Sequence, residues 1–207
     1  MSVFSQLMMR KKIPSIYKVL DWIQSSGTQY IDTGIIASGN TTVDLSYESV
    51  YDNQCVFNSR QSSNVRQFGL TMLTGGGRFE YAGNVGISGF NATANTKHRI
   101  VSKIENGNYI VENYNTNEEL AGSLTFTQTS FTTPYSLILF ARNNNGTING
   151  FATNCKIYYF KLWDSGIPKL NMIPVRRTTD NVLGMYDTVS KTFFTNAGTG
   201  TFIGSDE

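Results

Sequence analysis

A catalytic reading of these 207 residues has little to work with. His98 is the single histidine, so any nucleophile–histidine pair would have to use it. It stands in Thr96-Lys97-His98-Arg99-Ile100, a strand-like run with cations on both sides, which is a poor setting for a general base. Cys55 and Cys155 stand alone, without CxxC spacing, so they form neither a disulfide framework nor a zinc site. Two buried free thiols are the expectation. The fifteen acids are scattered, and the adjacent pair Glu118-Glu119 lies in a polar loop. Glycosidases need two carboxylates facing one sugar ring. The glycine runs match neither GxxxxGK[ST] nor GxGxxG, and no helical pattern follows them. No cofactor is expected. Calcium is the one metal the composition leaves open, through Asp52-Asn53 and Asp180-Asn181, although ordinary turns account for both pairs. Asn40, Asn91 and Asn145 match the N-glycosylation pattern, as expected by chance in an Asn- and Thr-rich chain.

What remains is chemistry for binding. Sugar sites pair an aromatic face with amide and backbone donors from loops. Asn143, Asn144 and Asn145, just before Gly146, offer such amides at a turn. Tyr81 is the favoured aromatic, with Phe90 and Tyr114 behind it. Each ring has a competing reading as packing between sheets.

The elements that must position these groups are strands. Ser, Thr and Asn make up about 30% of the chain, and charged residues only 15%. Short β runs alternate with turn chemistry: Lys18–Ile23, Gln29–Asp32, Thr41–Tyr47, Gln54–Asn58, Arg66–Met72, Arg78–Ala82, His98–Ile104 and Asn108–Asn113. Ser123–Thr127, Ser136–Ala141, Asn154–Asp164, Lys169–Pro174, Gly184–Thr188 and Thr192–Asn196 follow. Asn106-Gly107 marks the clearest hairpin. In the third run Thr41, Val43, Leu45 and Tyr47 share one face and Thr42, Asp44, Ser46 and Glu48 the other, a sheet dry on one side. Mixed polarity over Cys155–Trp163 predicts a strand covered on both sides or a bulge.

Charge is informative once split. Residues 1–18 carry four bases and no acid, whereas residues 19–207 are net negative, so the body has no footprint for nucleic acid. No run of 18 apolar residues exists to span a membrane as a helix. Val3, Phe4, Leu7 and Met8 fit one helical face, and Arg10, Lys11 and Lys12 follow before Pro14. The basic residues come after the apolar stretch, the reverse of a signal peptide. The expected organisation is a helical anchoring arm over 1–18 and one β domain over 19–207.

Two ends of the chain carry a resemblance. Asp21-Trp22-Ile23-Gln24-Ser25-Ser26-Gly27-Thr28-Gln29-Tyr30-Ile31-Asp32-Thr33-Gly34 resembles the opening of a concanavalin A-like (laminin-G-like) jelly-roll domain, a version frequent in gut bacteria and their tailed phages. Lys156-Ile157-Tyr158 with Phe160-Lys161-Leu162 resembles its penultimate long strand, and Ile173–Arg177, Gly184–Asp187 and Phe194–Phe202 its closing segment. The resemblance implies an all-β, antiparallel two-sheet sandwich whose shared ends pair in space. It implies binding of glycans or protein surfaces rather than catalysis. The Glu-x-Asp carboxylate strand of the glucanases of this fold is missing.

The leader resembles those of proteins built into phage particles. That implies a non-enzymatic virion protein, with Val3, Phe4, Leu7, Met8, Arg10, Lys11 and Lys12 docking to other virion proteins. The head would then decorate the particle or bind host surface glycans, within a homo-oligomer or symmetric assembly. The alternative is a free-standing lectin-like module associated with a bacterial cell. A glycan hydrolase on the same fold comes third.

Overall fold

The computed structural model describes residues 13–50, 53–87 and 89–206. In chain order the strands are β1 (Tyr17–Val19), β2 (Ile23–Ser26), β3 (Ile31–Ser38), β4 (Thr41–Glu48), β5 (Gln54–Arg60), β6 (Gln67–Leu73) and β7 (Gly76–Ala82). Then come β8 (Asn84–Gly86), β9 (His98–Glu105), β10 (Asn108–Tyr114), β11 (Leu120–Thr127), β12 (Thr132–Leu139), β13 (Arg142–Asn144) and β14 (Thr147–Asn149). The chain closes with β15 (Thr153–Asp164), β16 (Ile167–Arg177), β17 (Leu183–Asp187), β18 (Phe193–Thr195) and β19 (Ile203–Gly204). The larger sheet runs β11-β10-β9-β4-β15-β16-β17-β18, with β1 on β16 and β2 joining β15 to β19. The smaller runs β14-β13-β5-β6-β7-β8, with β12 joining β3 to β5. Pairing is antiparallel apart from Asn143–Asn144 beside Ser59–Arg60.

The two sheets form a sandwich because period-two alternation gives each a dry face. Val43, Leu45 and Tyr47 of β4 are buried in the core, as their alternation predicts. Phe57, Phe68, Phe79, Tyr81 and Tyr109 fill its centre, with Tyr81 stacked on Tyr109 at 4.1 Å. Asn106 and Gly107, both at positive φ (50° and 74°), turn β9 into β10 as the dipeptide signal requires. The mixed polarity of β15 resolves as a bulge between Ile157 and Tyr159 against β4. Both cysteines are buried free thiols, and burial raises the pKa of each, Cys155 to about 12.

The ends that carry the resemblance do pair. Strand β2 lies between β15 and β19, Thr28 Oγ1 donates to the Thr199 carbonyl, and Ala197 N donates to that of Tyr30. Gly198 packs so tightly on the Thr28 carbonyl that a side chain would overlap it.

Two expectations need correction. No helix occurs among the described residues, so the helical arm has no support here. Val3, Phe4, Leu7, Met8, Arg10, Lys11 and Lys12 lie outside those residues. Tyr17 and Lys18, assigned to the arm by sequence, instead pair with Arg177 and Arg176 at the sheet edge. The run expected over Ser136–Ala141 lies earlier, at Thr132–Leu139, because Phe140 turns to positive φ (65°) and leaves the ladder. Pro134, which has no N–H to donate, falls where the register with β3 shifts.

Candidate functional site

The solvent-side face of the smaller sheet is unusual, because its floor is polar and buried. Strands β5, β6 and β7 align Cys55, Thr71 and Arg78 in one row and Asn58, Gly69 and Glu80 in the next. Alternation sends Phe57, Leu70 and Phe79 into the core and these residues outward. Glu80 is fully buried all the same. Its Oε1 accepts from Arg78 Nε and Nη2 (3.0 and 2.6 Å) and from Thr71 Oγ1 (3.2 Å). Its Oε2 accepts from Asn58 Nδ2 at 2.7 Å. Gly69 makes this last bond available. Asn58 reaches Glu80 across the strand between them, and a Cβ on Gly69 would overlap Asn58 Nδ2 and sit 2.7 Å from the Phe57 carbonyl.

Two more guanidiniums border this floor. Arg60 closes β5, and Arg142 opens β13 beside Cys55 and Gly150. Desolvation lowers the Arg60 pKa first, and repulsion from Arg142 and Arg78 adds to it, against the pull of Glu80. Three guanidiniums therefore gather near one carboxylate, which Arg78 alone of them bonds. Among the described residues the next acid outward on this face, exposed Asp32, stands two strands from β5, beyond Ile138. Asn58 Oδ1 and Arg142 Nε are buried without a hydrogen-bond partner. Such atoms are costly in a finished surface.

The asparagine turn adjoins the same corner. Arg60 Nε donates to Asn144 Oδ1 at 2.8 Å, and Asn145 N donates to the Arg60 carbonyl at 2.9 Å. Asn143 is 5% exposed and spends its side chain on the turn itself, accepting from Gly146 N and donating to the Ser136 carbonyl. Gly146 (φ 86°) brings the turn onto the ring of Tyr135, 3.3 Å from where its Cβ would stand. Tyr135 is 40% exposed, an aromatic surface against this turn.

Of the residues singled out by sequence, Asn144 and Asn145 thus meet a polar, cationic corner, and Asn143 builds the turn that holds them. The structure places Tyr81 elsewhere, between the sheets with no exposed surface, its hydroxyl donating to the Gly39 carbonyl at 2.8 Å. Burial raises its pKa accordingly. Phe90 is core as well. Tyr114 lies on the larger sheet, with its hydroxyl on Glu112 Oε2 at 2.8 Å. Asp180 is engaged by Arg177 at 2.7 Å, Asp52 lies outside the described residues, and no cluster of three metal-ligating side chains occurs among the described residues.

His98 is 2% exposed and accepts the Thr93 N–H on Nε2 at 2.9 Å, so it latches a loop and has no solvent access for catalysis. The residues that sequence reasoning missed are Tyr135, Arg60, Arg78 and Arg142. Arg78-Phe79-Glu80 within a strand run was the available signal. Tyr135 lies between Pro134 and Ser136 with no pattern to set it apart.

No family model matches the chain, and no curated protein matches it. Among solved structures, one of the CBM40 module of the Ruminococcus gnavus IT-sialidase bound to α2,3-sialyllactose is similar. It has 14% identity and a TM-score of 0.49, covering 72% of this chain and 92% of that one. A second structure of that module gives 13%, 0.49, 72% and 91%.

Proposed function

We propose that this chain is a non-enzymatic, lectin-like carbohydrate-binding module of concanavalin A-like type, with its site on the corner formed by β5, β12 and the β13–β14 turn. The observation that carries this is the exposed Tyr135 ring packed at Gly146 of the turn whose Asn144 and Asn145 bond to Arg60. A pyranose has an apolar face that stacks on a ring and a rim of hydroxyls that need donors and acceptors. The corner supplies both. Strand positions and a hydrogen-bonded turn hold its groups, so little ordering cost remains at binding. Nothing at the corner arranges a general acid opposite a nucleophile, which supports binding without bond cleavage.

The particle-docking reading rests on the arm over 1–18, whose docking residues Val3 to Lys12 lie outside the described residues, and no observation at the corner favours it. The test is a broad glycan array probed with the full chain and with Tyr135→Ala. We expect one glycan class to bind, with a tenfold or greater loss in the variant. A folded protein that binds no glycan sinks the reading.

A further inference from the structure

We infer that this corner selects a glycan bearing an acidic group, seated between Arg60 and Arg142 on the floor held by Glu80. The inference rests on the glycan-binding reading and names its ligand class. Glu80 is fully used: Arg78, Thr71 and Asn58 all donate to it, so Arg78 is held in place and largely neutralised. Among the described residues Arg60 and Arg142 have no carboxylate of their own on this face; an amide oxygen accepts from Arg60, and the Cys55 thiol is the hydrogen-bonding neighbour of Arg142. Two guanidiniums that repel each other gain most from an anion that both can reach. Guanidinium forks match planar carboxylates in particular, with charge-assisted bonds about twice as strong as neutral ones.

The buried, unpartnered Arg142 Nε and Asn58 Oδ1 are a donor and an acceptor still to be satisfied, both at this floor. The alternatives fit less well. A nucleic acid would meet a body that is net negative over residues 19–207. A bare inorganic anion would leave the Tyr135 face and the Asn144 and Asn145 amides unused. An acidic sugar engages the cations and the aromatic corner together.

The experiment titrates the full chain with methyl glucuronide, methyl glucoside and inorganic sulfate, following arginine Nε–H and Tyr135 signals by NMR. The same titrations are run on Arg142→Gln, Arg60→Gln and Tyr135→Ala, with melting temperature as the check on folding. We expect the glucuronide to bind at least tenfold more tightly than the glucoside. That preference should vanish in either arginine variant and weaken as salt rises. Equal binding of glucuronide and glucoside, both lost in Tyr135→Ala, overturns the acidic-ligand inference and leaves the glycan reading standing. Sulfate binding as tight as glucuronide, insensitive to Tyr135→Ala, overturns the glycan reading and leaves only an anion site. Absence of all binding in folded protein overturns both.

Discussion

The solvent-side faces of the two sheets follow the same alternation and reach opposite ends. On the larger sheet the charges answer one another. Asp44 accepts from Arg99 (3.0 Å) and from the Tyr159 hydroxyl (2.8 Å), with Lys161 at 3.6 Å. Glu48 takes Lys156 at 2.8 Å and the Tyr158 hydroxyl at 3.1 Å, and Glu112 takes Lys103 at 2.7 Å. Cations also cover rings: Lys97 lies over Tyr158, Lys156 over Trp22 and Lys161 over Tyr159. The Tyr158 and Tyr159 pKa values are raised, by burial first and by their carboxylate partners second. On the smaller sheet Arg78 takes Glu80, and Arg60 and Arg142 stand nearby without an ion pair among the described residues. A face whose charges are paired has little left for a charged ligand, whereas one with surplus cationic donors gains by meeting one.

The contrast can be broken at its centre. Glu80→Ala leaves Arg78, Asn58 and Thr71 without their acceptor. A buried ion pair that loses one partner costs about 3–5 kcal/mol, and the value here should fall near the lower end because Arg78 retains some solvent. Urea unfolding measures it; a loss under about 1 kcal/mol would mean that the floor is not held by this carboxylate.

A gentler break is Gly69→Ala, which drives a methyl group into Asn58 and the Phe57 carbonyl. Overpacking of this kind costs about 1–3 kcal/mol, and the displaced Asn58 should weaken glycan binding at the same time. Unchanged binding with lowered stability would detach the floor from the site.

Acid provides a third probe, away from both faces. Burial lowers the His98 pKa, with hydrogen bonds to Tyr114, Thr93 and Asn113 opposing the shift. Above about pH 6.5 neither folded nor unfolded His98 carries a proton, so it adds no pH dependence. Below that, the unfolded chain takes up the proton first, and stability falls by up to about 1.4 kcal/mol per pH unit until the lower folded value is reached. The latch it holds at Thr93 should loosen over the same range. His98→Gln should flatten the slope below about pH 6.5; an unchanged slope would place the titration elsewhere.

The smallest effect should come from the self-satisfied face. Lys103→Ala removes an exposed, solvent-screened pair with Glu112, so melting temperature and glycan binding should both stay unchanged. Loss of binding there would move the site to the larger sheet and reverse the comparison.

Much of the sandwich was legible in the sequence, because alternation and turn chemistry are local. Strand β4, the Asn106-Gly107 hairpin, the bulged β15 and the pairing ends stand where pattern and resemblance put them. The two- and three-residue strands β8, β13, β14 and β19 were not legible, since runs so short have no period to detect. The corner was half legible. An asparagine turn announces itself locally, so Asn144 and Asn145 were marked. Tyr81 and Tyr135 are the same residue type in similar strand contexts, and which one faces solvent depends on a register shift in β12 and on the packing of Gly146.

The sequence by itself determined the class of this protein: an all-β, weakly charged chain with one amide-rich turn. Those properties depend on residue type and on spacing within a few positions. The tertiary structure alone decided that Arg60, Arg78 and Arg142 gather at a floor held by one buried carboxylate. Arg142 lies more than 60 residues from Glu80 in the chain. Only the lateral order β13-β5-β6-β7, set by long-range strand pairing, brings their side chains to one face.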